Sequence, residues 1–205
     1  MTNRYLVAVV DDDDAVRLST ARLLGRRGFD AMPFVSGDEF LAANLPGKFD
    51  CVLLDLRMPG TDGIGVLRIL KERELWLKVV VLTGHGDIAI AVEAMRLGSL
   101  DFLEKPYQPA ALVEAIKHVC ASPPLMASPK VDEEAREKVA RLPPRQREVL
   151  HGILKGQQNK IIAYELGLSI RTVEAYRGQL LINLGVRGTA EAVRLALAAG
   201  VGIPK

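Results

Sequence analysis

The side chains best suited to chemistry in this 205-residue chain stand at the ends of short apolar runs. The acids Asp11, Asp12 and Asp55 end two of these runs, and Thr83 and Lys105 end two later ones. Carboxylates that converge repel one another unless a cation joins them, so a hard divalent ion such as Mg²⁺ is their natural occupant. The lysine and the threonine would then bind the oxygens of an added phosphoryl group.

Apolar runs and amphipathic stretches alternate through the first half of the chain and predict the elements that position these residues. The runs lie at 5–10, 51–54 and 79–82, and more weakly at 31–35 and 100–103. Helical periodicity occupies 15–27, 36–44, 62–73, 87–97 and 107–119. Short continuous apolar runs are typical of parallel strands that are buried on both faces. We therefore predict an α/β doubly wound five-stranded parallel sheet, whose ligands bind beyond the carboxyl ends of the strands.

The second half of the chain has a different composition. Residues 121–130 hold three prolines and two serines, as linkers do, and 131–139 could continue as a charged, exposed helix. Only helical patterns follow, at 144–155, 159–166, 170–183 and 189–199. The predicted organisation is a first domain, a partly helical linker and a small all-α domain, over residues 1–121, 122–138 and 139–205.

The net charge of +2 is unevenly distributed. The first domain carries 14 Lys and Arg against 17 Asp and Glu, whereas residues 139–205 carry 10 against 4. A basic final segment behind a mildly acidic domain favours contact of that segment alone with a polyanion. No apolar run approaches the roughly 20 residues of a membrane span. We therefore expect a cytoplasmic protein without a membrane partner, in which Cys51 and Cys120 are buried reduced thiols.

Four motifs of the first domain stand at the spacing of a known family. They are the acidic group at 11–14, LLDLRMPGTDG at 53–63, LTGHGD at 82–87 and FLEKP at 102–106. Together they resemble a CheY-like receiver domain of flavodoxin-like fold, and more narrowly the FixJ-type response regulators. The resemblance implies that Asp55 is phosphorylated by a sensor histidine kinase, with Thr83, Lys105 and the switch aromatic Phe102 responding to the phosphoryl group.

The same resemblance implies a Mg²⁺ site. Its ligands would be Asp11, Asp12, Asp55 and the backbone carbonyl of Arg57. An enzyme class with a similar strand-end aspartate, the haloacid-dehalogenase-type phosphatases, places a general acid two residues after the nucleophile. Arg57 stands there and cannot protonate a leaving group, so we expect no enzyme. Acidic residues after a strand also act as helix N-caps, and we expect Asp13 or Asp14 to cap helix 15–27.

Two of the later helical stretches predict a helix-turn-helix. The first packs through the apolar residues of 159–166, including Ile161, and turns at Gly167; the second begins after Ser169, a plausible N-cap. Its inward stripe is Ile170, Val173, Tyr176, Leu180 and Leu184. Its outward face is polar or small, as a surface in the major groove must be, and consists of Arg171, Glu174, Ala175, Arg177 and Gly178.

Further motifs make this domain resemble the LuxR-type DNA-binding domain. They are REVL at 147–150, NKIIA at 159–163, LGLS at 166–169, TVE at 172–174 and LGV at 184–186. The resemblance implies that 169–183 is the recognition helix and that 189–199 can form a dimer contact. The DNA-binding residues would be Lys160, Arg171, Thr172, Glu174, Ala175, Arg177 and Gly178. The chain departs from the family pattern at Pro143, where a capping Ser or Thr is usual, and at Asn183, where a Lys is usual.

The combined interpretation is a two-component response regulator that controls transcription. Phosphorylation would promote pairing of two receivers through helix 87–97 and strand 100–105, and the homodimer would bind double-stranded DNA, with RNA polymerase as a further partner. One alternative is an orphan regulator that binds DNA without phosphate. Another is a signalling adaptor whose helical domain binds protein, which the outward arginines and the +6 charge of 139–205 disfavour.

Overall fold

The computed structural model describes two compact units. The described residues are 4–43, 47–84, 88–122 and 132–201. Residues 85–87 of the LTGHGD motif and residues 123–131 of the predicted linker lie outside them.

The first unit is built on a five-stranded sheet in the order β2-β1-β3-β4-β5, with every pair parallel. The strands are β1 (Leu6–Val10), β2 (Asp30–Phe34), β3 (Cys51–Asp55), β4 (Val79–Thr83) and β5 (Asp101–Glu104). This is the flavodoxin-like doubly wound order, so the predicted fold class is confirmed. Both weak apolar runs form the outer strands, and Pro33 is tolerated in β2 because that strand lies at an edge.

A helix follows each strand. These helices are α1 (Asp14–Arg26), α2 (Gly37–Ala42), α3 (Gly63–Glu72), α4 (Ile88–Leu97) and α5 (Pro109–Ala121). Alternate strand residues such as Val9 and Leu53 share one core with Leu24 of α1 and Ile116 of α5. The intervening residues of β3 are equally buried, so both faces of the sheet are covered, as the continuous apolar runs predict.

The unit formed by the described residues 132–201 contains only helices. They are α6 (Glu133–Ala140), α7 (Pro144–Leu154), α8 (Asn159–Leu166), α9 (Ile170–Leu184) and α10 (Thr189–Ala198). Four of them match the predicted stretches, and α8 and α9 are separated by Gly167 in the left-handed conformation. Within the described residues, no helix combines the length and the apolar character needed to cross a bilayer.

Three local expectations for this unit differ from the structure. Helix α6 is not wholly exposed, because Ala135 and Val139 are buried where it packs against α9 and α10. Ile161 and Ile170, both expected to face inward, are 47% and 46% exposed. Ile162 and Ala163 are buried, as predicted, and Ile161 is not, since neighbouring residues of a helix point about 100° apart.

Candidate phosphoacceptor site and nucleic-acid interface

The carboxylate of Asp11 is held at the end of β1 by the start of α1. The backbone N–H of Asp13 donates to Asp11 Oδ1 at 3.0 Å. Asp13 in turn is the N-cap of α1, since its side chain accepts from the N–H groups of Ala15 and Val16, as expected. Asp11 is completely buried. Its orientation is therefore set by the strand end and by the capping turn.

Lys105 joins the ends of two strands. Its ammonium Nζ lies 2.7 Å from Asp11 Oδ2 and 3.2 Å from Asp55 Oδ1. Asp55 is the last residue of β3 and is 7% exposed. The backbone N–H of Lys105 donates to the Thr83 carbonyl at 2.7 Å, which continues the ladder between β4 and β5. Residues distant in sequence thus meet at the carboxyl ends of the strands, as predicted.

Asp12 completes the acidic cluster. One carboxylate oxygen from each of Asp11, Asp12 and Asp55 lies within 4.8 Å of the others. Asp12 is exposed, whereas the other two are buried, so the cluster opens to solvent on the Asp12 side. Oxygen donors at this spacing fit a hard divalent cation such as Mg²⁺.

The charges of the cluster shift the pKa values of Asp55 and Lys105. Burial raises the pKa of Asp55 above its usual value, and the nearby Asp11 carboxylate adds to this, while Lys105 and the Arg57 backbone N–H oppose it. For Lys105, burial alone lowers the pKa, but the bonds to Asp11 and Asp55 outweigh burial and raise it. The Lys105 ammonium is therefore stabilised by the two carboxylates, whereas the negative charge on Asp55 is only partly compensated.

The loop after β3 depends on close backbone approaches. A Cβ added to Gly63 would lie 2.4 Å from the Asp55 carbonyl oxygen, so only glycine lets α3 begin there. The same loop is held by Asp38 of α2, which accepts from the Thr61 hydroxyl at 2.5 Å. The sequence patterns predicted no role for Asp38 or Thr61. Neither belongs to an apolar run, so hydrophobic periodicity gave no signal for them.

The two predicted switch residues lie on the two strands that follow β3 in the sheet, β4 and β5. Thr83 ends β4 and is 3% exposed, and its hydroxyl donates to the Gly84 carbonyl at 3.3 Å. Phe102 is half-buried on β5, where it pairs with Val81. The structure thus places Thr83 at the carboxyl end of the sheet, as it does Asp55. Phe102 lies two residues before the end of β5.

Arg17 of α1 is a site residue that the sequence patterns did not predict. It is 6% exposed, its Nη1 donates to the Asp11 carbonyl at 2.8 Å, and it forms an ion pair with Asp14. A buried arginine is rare unless it is paired. The available signal was an arginine one helical turn after an acidic strand end, which by itself describes an ordinary solvated ion pair.

Helix α9 is the predicted recognition helix. It begins at Ile170 after the N-cap Ser169, whose side chain accepts from the Thr172 N–H, and it ends at the left-handed Gly185. Val173, Leu180 and Leu184 are buried, as the predicted inward stripe requires. The opposite face is exposed at Arg171, Glu174, Ala175 and Gly178, and Lys160 of α8 is also exposed. Thr172 is half-buried, and its hydroxyl is 2.8 Å from the Ser169 hydroxyl.

Arg177 does not project outward as the helical wheel predicts. Its side chain is half-buried, with Nη1 donating to Asn159 Oδ1 at 2.6 Å and Nη2 donating to Thr189 Oγ1 at 2.9 Å. A long flexible stem lets the guanidinium fold back onto neighbouring elements. Arg177 therefore joins the first residues of α8 and α10 to the middle of α9.

We expect Arg177→Ala to lower the free energy of unfolding by about 1–3 kcal/mol, because it removes charge-assisted bonds from a half-buried site. Urea unfolding of the full chain measures this change. Arg177→Lys should recover only part of the loss, because one ammonium cannot reproduce the two-pronged donation of a guanidinium. A matched control is Arg136→Ala in α6, whose side chain is 65% exposed. Equal stability of the Arg177→Ala and Arg136→Ala variants would show that these bonds contribute nothing.

Two departures from the family pattern have visible consequences. Pro143 precedes α7 and makes no side-chain capping bond, as expected. Asn183 instead gains a structural partner, since its Nδ2 donates at 2.8 Å to Oε1 of Gln146, which is 4% exposed. A buried amide without such a bond would cost free energy, so Asn183 stabilises the packing of α9 on α7.

Comparison with known protein families matches both units. The family described as "Response regulator receiver domain" matches residues 7–117. The family described as "Bacterial regulatory proteins, luxR family" matches residues 140–196. The exact domain boundaries at 121/122 and 138/139 stay predictions, because the matched ranges leave the segment between them unassigned.

Curated relatives match along nearly the whole chain. "Transcriptional regulatory protein FixJ" of Azorhizobium caulinodans is 44% identical over 199 residues, which span 95% of this chain and 93% of that protein. The protein of the same name from Bradyrhizobium diazoefficiens is 41% identical over 203 residues, 98% of each chain. Among solved structures, full-length FixJ from B. japonicum is 36% identical with a TM-score of 0.52, covering 98% of this chain and 100% of that chain.

The two family matches and the relatives agree with the architecture and with the clustered acids. A receiver implies a histidine kinase as phosphodonor, and a LuxR-type domain implies DNA as a partner. The chain belongs to the two-component response regulators, the transcription regulators that join a receiver domain to a LuxR-type DNA-binding domain.

Proposed function

We propose that a sensor histidine kinase phosphorylates Asp55 and that this modification promotes dimerisation and sequence-specific binding of double-stranded DNA. The observation that carries the proposal is the meeting of Asp11, Asp12 and Asp55 within 4.8 Å, with Lys105 bonded to two of them. An acidic group with an adjoining fixed cation can both hold a metal ion and receive a phosphoryl group.

Four groups would hold Mg²⁺ at this site. They are the carboxylates of Asp11, Asp12 and Asp55 and the backbone carbonyl of Arg57. When bound, the ion neutralises negative charge that builds up on the phosphoryl oxygens during transfer. Exposed Asp12 lies at the open side of the cluster, where a phosphodonor would approach.

The transfer itself needs few protein groups. A carboxylate oxygen of Asp55 attacks the phosphorus of the kinase phosphohistidine, the P–N bond breaks, and the imidazole leaves. Lys105 then binds a phosphoryl oxygen in addition to its present partners, and the Thr83 hydroxyl turns from the Gly84 carbonyl toward another oxygen. Phe102 turns inward as Thr83 moves. Because the basic Arg57 stands where a phosphatase has its general acid, we propose no enzymatic turnover of small substrates.

We propose that the receivers pair through α4 and β5. In a two-fold interface the same patch is used by both protomers, so every substitution acts twice. Such pairing would bring two copies of α9 to neighbouring half-sites on DNA and would place the bound dimer beside RNA polymerase.

Pairing predicts that beryllofluoride with Mg²⁺, a mimic of the phosphoryl group, shifts the protein from monomer to dimer. Glu104→Arg, which reverses an exposed charge on β5, should prevent the shift without preventing phosphorylation. Sedimentation velocity measures both states. Glu72→Arg at the exposed end of α3 is the matched control and should dimerise normally. A protein that has the same oligomeric state with and without beryllofluoride contradicts this scheme.

In the helical domain, we propose a division of roles for the predicted DNA-contacting residues. Lys160, Arg171 and Thr172 would contact phosphates, while Glu174, Ala175 and Gly178 would face base edges. Charged and hydroxyl side chains supply most phosphate contacts, whereas small residues let the helix approach the bases. Arg177 would act on DNA binding chiefly by holding α8, α9 and α10 together.

A further inference from the structure

The two cysteines of the first unit meet at the edge of the sheet opposite the acidic cluster. Cys51 is the first residue of β3 and is completely buried, whereas Cys120 lies in the last turn of α5 and is half-buried. The two side chains are close enough for each thiol to shift the pKa of the other. Cys120 Sγ also lies 3.8 Å from the backbone oxygen of Asp50. The pair therefore consists of one protected and one accessible thiol.

A cation lies beside this pair. Lys78 Nζ donates to the Cys120 backbone oxygen at 2.7 Å. The pKa of Cys120 is lowered, chiefly by the neighbouring Cys51 thiol and further by Lys78, although burial and Asp50 oppose this. The pKa of Cys51 is raised by the neighbouring Cys120 thiol and by burial. The negative charge of a thiolate is thus directed to the more accessible sulfur.

We propose that Cys120 and Cys51 form a hydroperoxide-sensitive thiol pair, with Cys120 as the attacking thiolate and Cys51 as the resolving thiol. The Cys120 sulfur attacks one peroxide oxygen, the O–O bond breaks, and the released hydroxide takes a proton to leave as water. Cys120 becomes a sulfenic acid. The Cys51 sulfur then attacks the Cys120 sulfur and the S–O bond breaks. The released hydroxide takes the Cys51 proton and leaves as a second water, and a disulfide remains. Two thiols and one hydroperoxide thus yield one disulfide, one water and one further water or alcohol.

The pair is separate from the phosphoacceptor chemistry. Cys51 and Asp55 are at opposite ends of β3, four residues or roughly 13 Å apart along the strand. A disulfide would tie the last turn of α5 to the start of β3, without touching the carboxylates or Lys105. Disulfides inside reducing compartments are typically transient and redox-sensing, so we expect a reversible modification.

The test treats the full-length protein with hydrogen peroxide and follows it by intact-mass and peptide mass spectrometry. The wild-type protein should lose about 2 Da, yield a peptide cross-linked between Cys51 and Cys120, and recover its original mass with dithiothreitol. Cys51→Ala should stop at a Cys120 sulfenic acid, which dimedone traps. Cys120→Ser should give neither product. Asp55 labelling by acetyl phosphate should persist in both variants, which shows that the receiver is folded.

Several outcomes would overturn the proposal. These are over-oxidation of Cys120 without a cross-linked peptide, dimedone labelling of Cys51 in place of Cys120, or a cross-link between two chains only. Lys78→Met supplies a further check that does not alter either thiol. It should slow disulfide formation at neutral pH, because the thiolate loses its neighbouring cation. An unchanged rate would remove the role assigned to Lys78 and with it the proposed activation of Cys120.

Discussion

Asp55→Asn is expected to abolish labelling of the protein by acetyl phosphate and Mg²⁺. The substitution keeps the volume and one acceptor oxygen of a side chain that is 7% exposed, but it removes the carboxylate that is the proposed nucleophile. The measurement is incorporation of one phosphoryl group, read as a mass increase or on a phosphate-affinity gel. Labelling of the Asp55→Asn variant at the wild-type level would show that another residue is the acceptor.

The neighbouring residues Asp12 and Asp13 supply a matched pair of variants that tests the proposed Mg²⁺ site. Asp12→Asn removes a proposed Mg²⁺ ligand, whereas Asp13→Asn replaces the N-cap of α1 by an equally good capping residue. Substitution of a residue that only orients a metal ligand already lowers metal affinity by about ten- to a hundredfold. We therefore expect Asp12→Asn to raise the Mg²⁺ concentration required for labelling by at least about tenfold, and Asp13→Asn to leave it unchanged. Equal Mg²⁺ requirements would exclude Asp12 from the metal site.

The second large effect is expected in DNA binding by α9. Arg171→Ala should weaken binding to any duplex and flatten the salt dependence by about one unit of slope, because it removes a proposed phosphate contact. Glu174→Ala should instead erode the preference between sequences by about 1–3 kcal/mol at one base pair, since a carboxylate accepts from a cytosine amino group. Loss of its negative charge should also strengthen binding to random DNA.

Binding curves at several salt concentrations separate these two effects. The experiment compares two duplexes. One carries the preferred sequence, identified by sequencing genomic fragments that the phosphorylated protein retains, and the other carries the same bases in scrambled order. Arg136→Ala, on the exposed side of α6, is the control for loss of one positive charge in the same unit. If Arg171→Ala and Glu174→Ala both bind like the control, α9 does not lie in the major groove.

Local sequence patterns were sufficient to predict the architecture and to identify the acidic residues of the cluster. Continuous apolar runs mark strands that are covered on both faces, and the carboxyl ends of parallel strands must share one edge. The clustering of Asp11, Asp12 and Asp55 therefore follows from their positions in the amino-acid sequence. Helix caps were equally predictable, because a cap depends on residues only two or three positions away, as at Asp13 and Ser169.

Only the tertiary structure determined which partners the long side chains contact on other elements. Lys105 contacts Asp11 from 94 positions away, Arg177 folds back onto Asn159 and Thr189, and the Cys120 thiol reaches the backbone oxygen of Asp50. Helical periodicity gives the direction of a Cα–Cβ bond, but several flexible bonds separate it from a guanidinium or an ammonium. Where such a group ends depends on which buried oxygens need a donor, and those oxygens are brought into reach only when the elements pack.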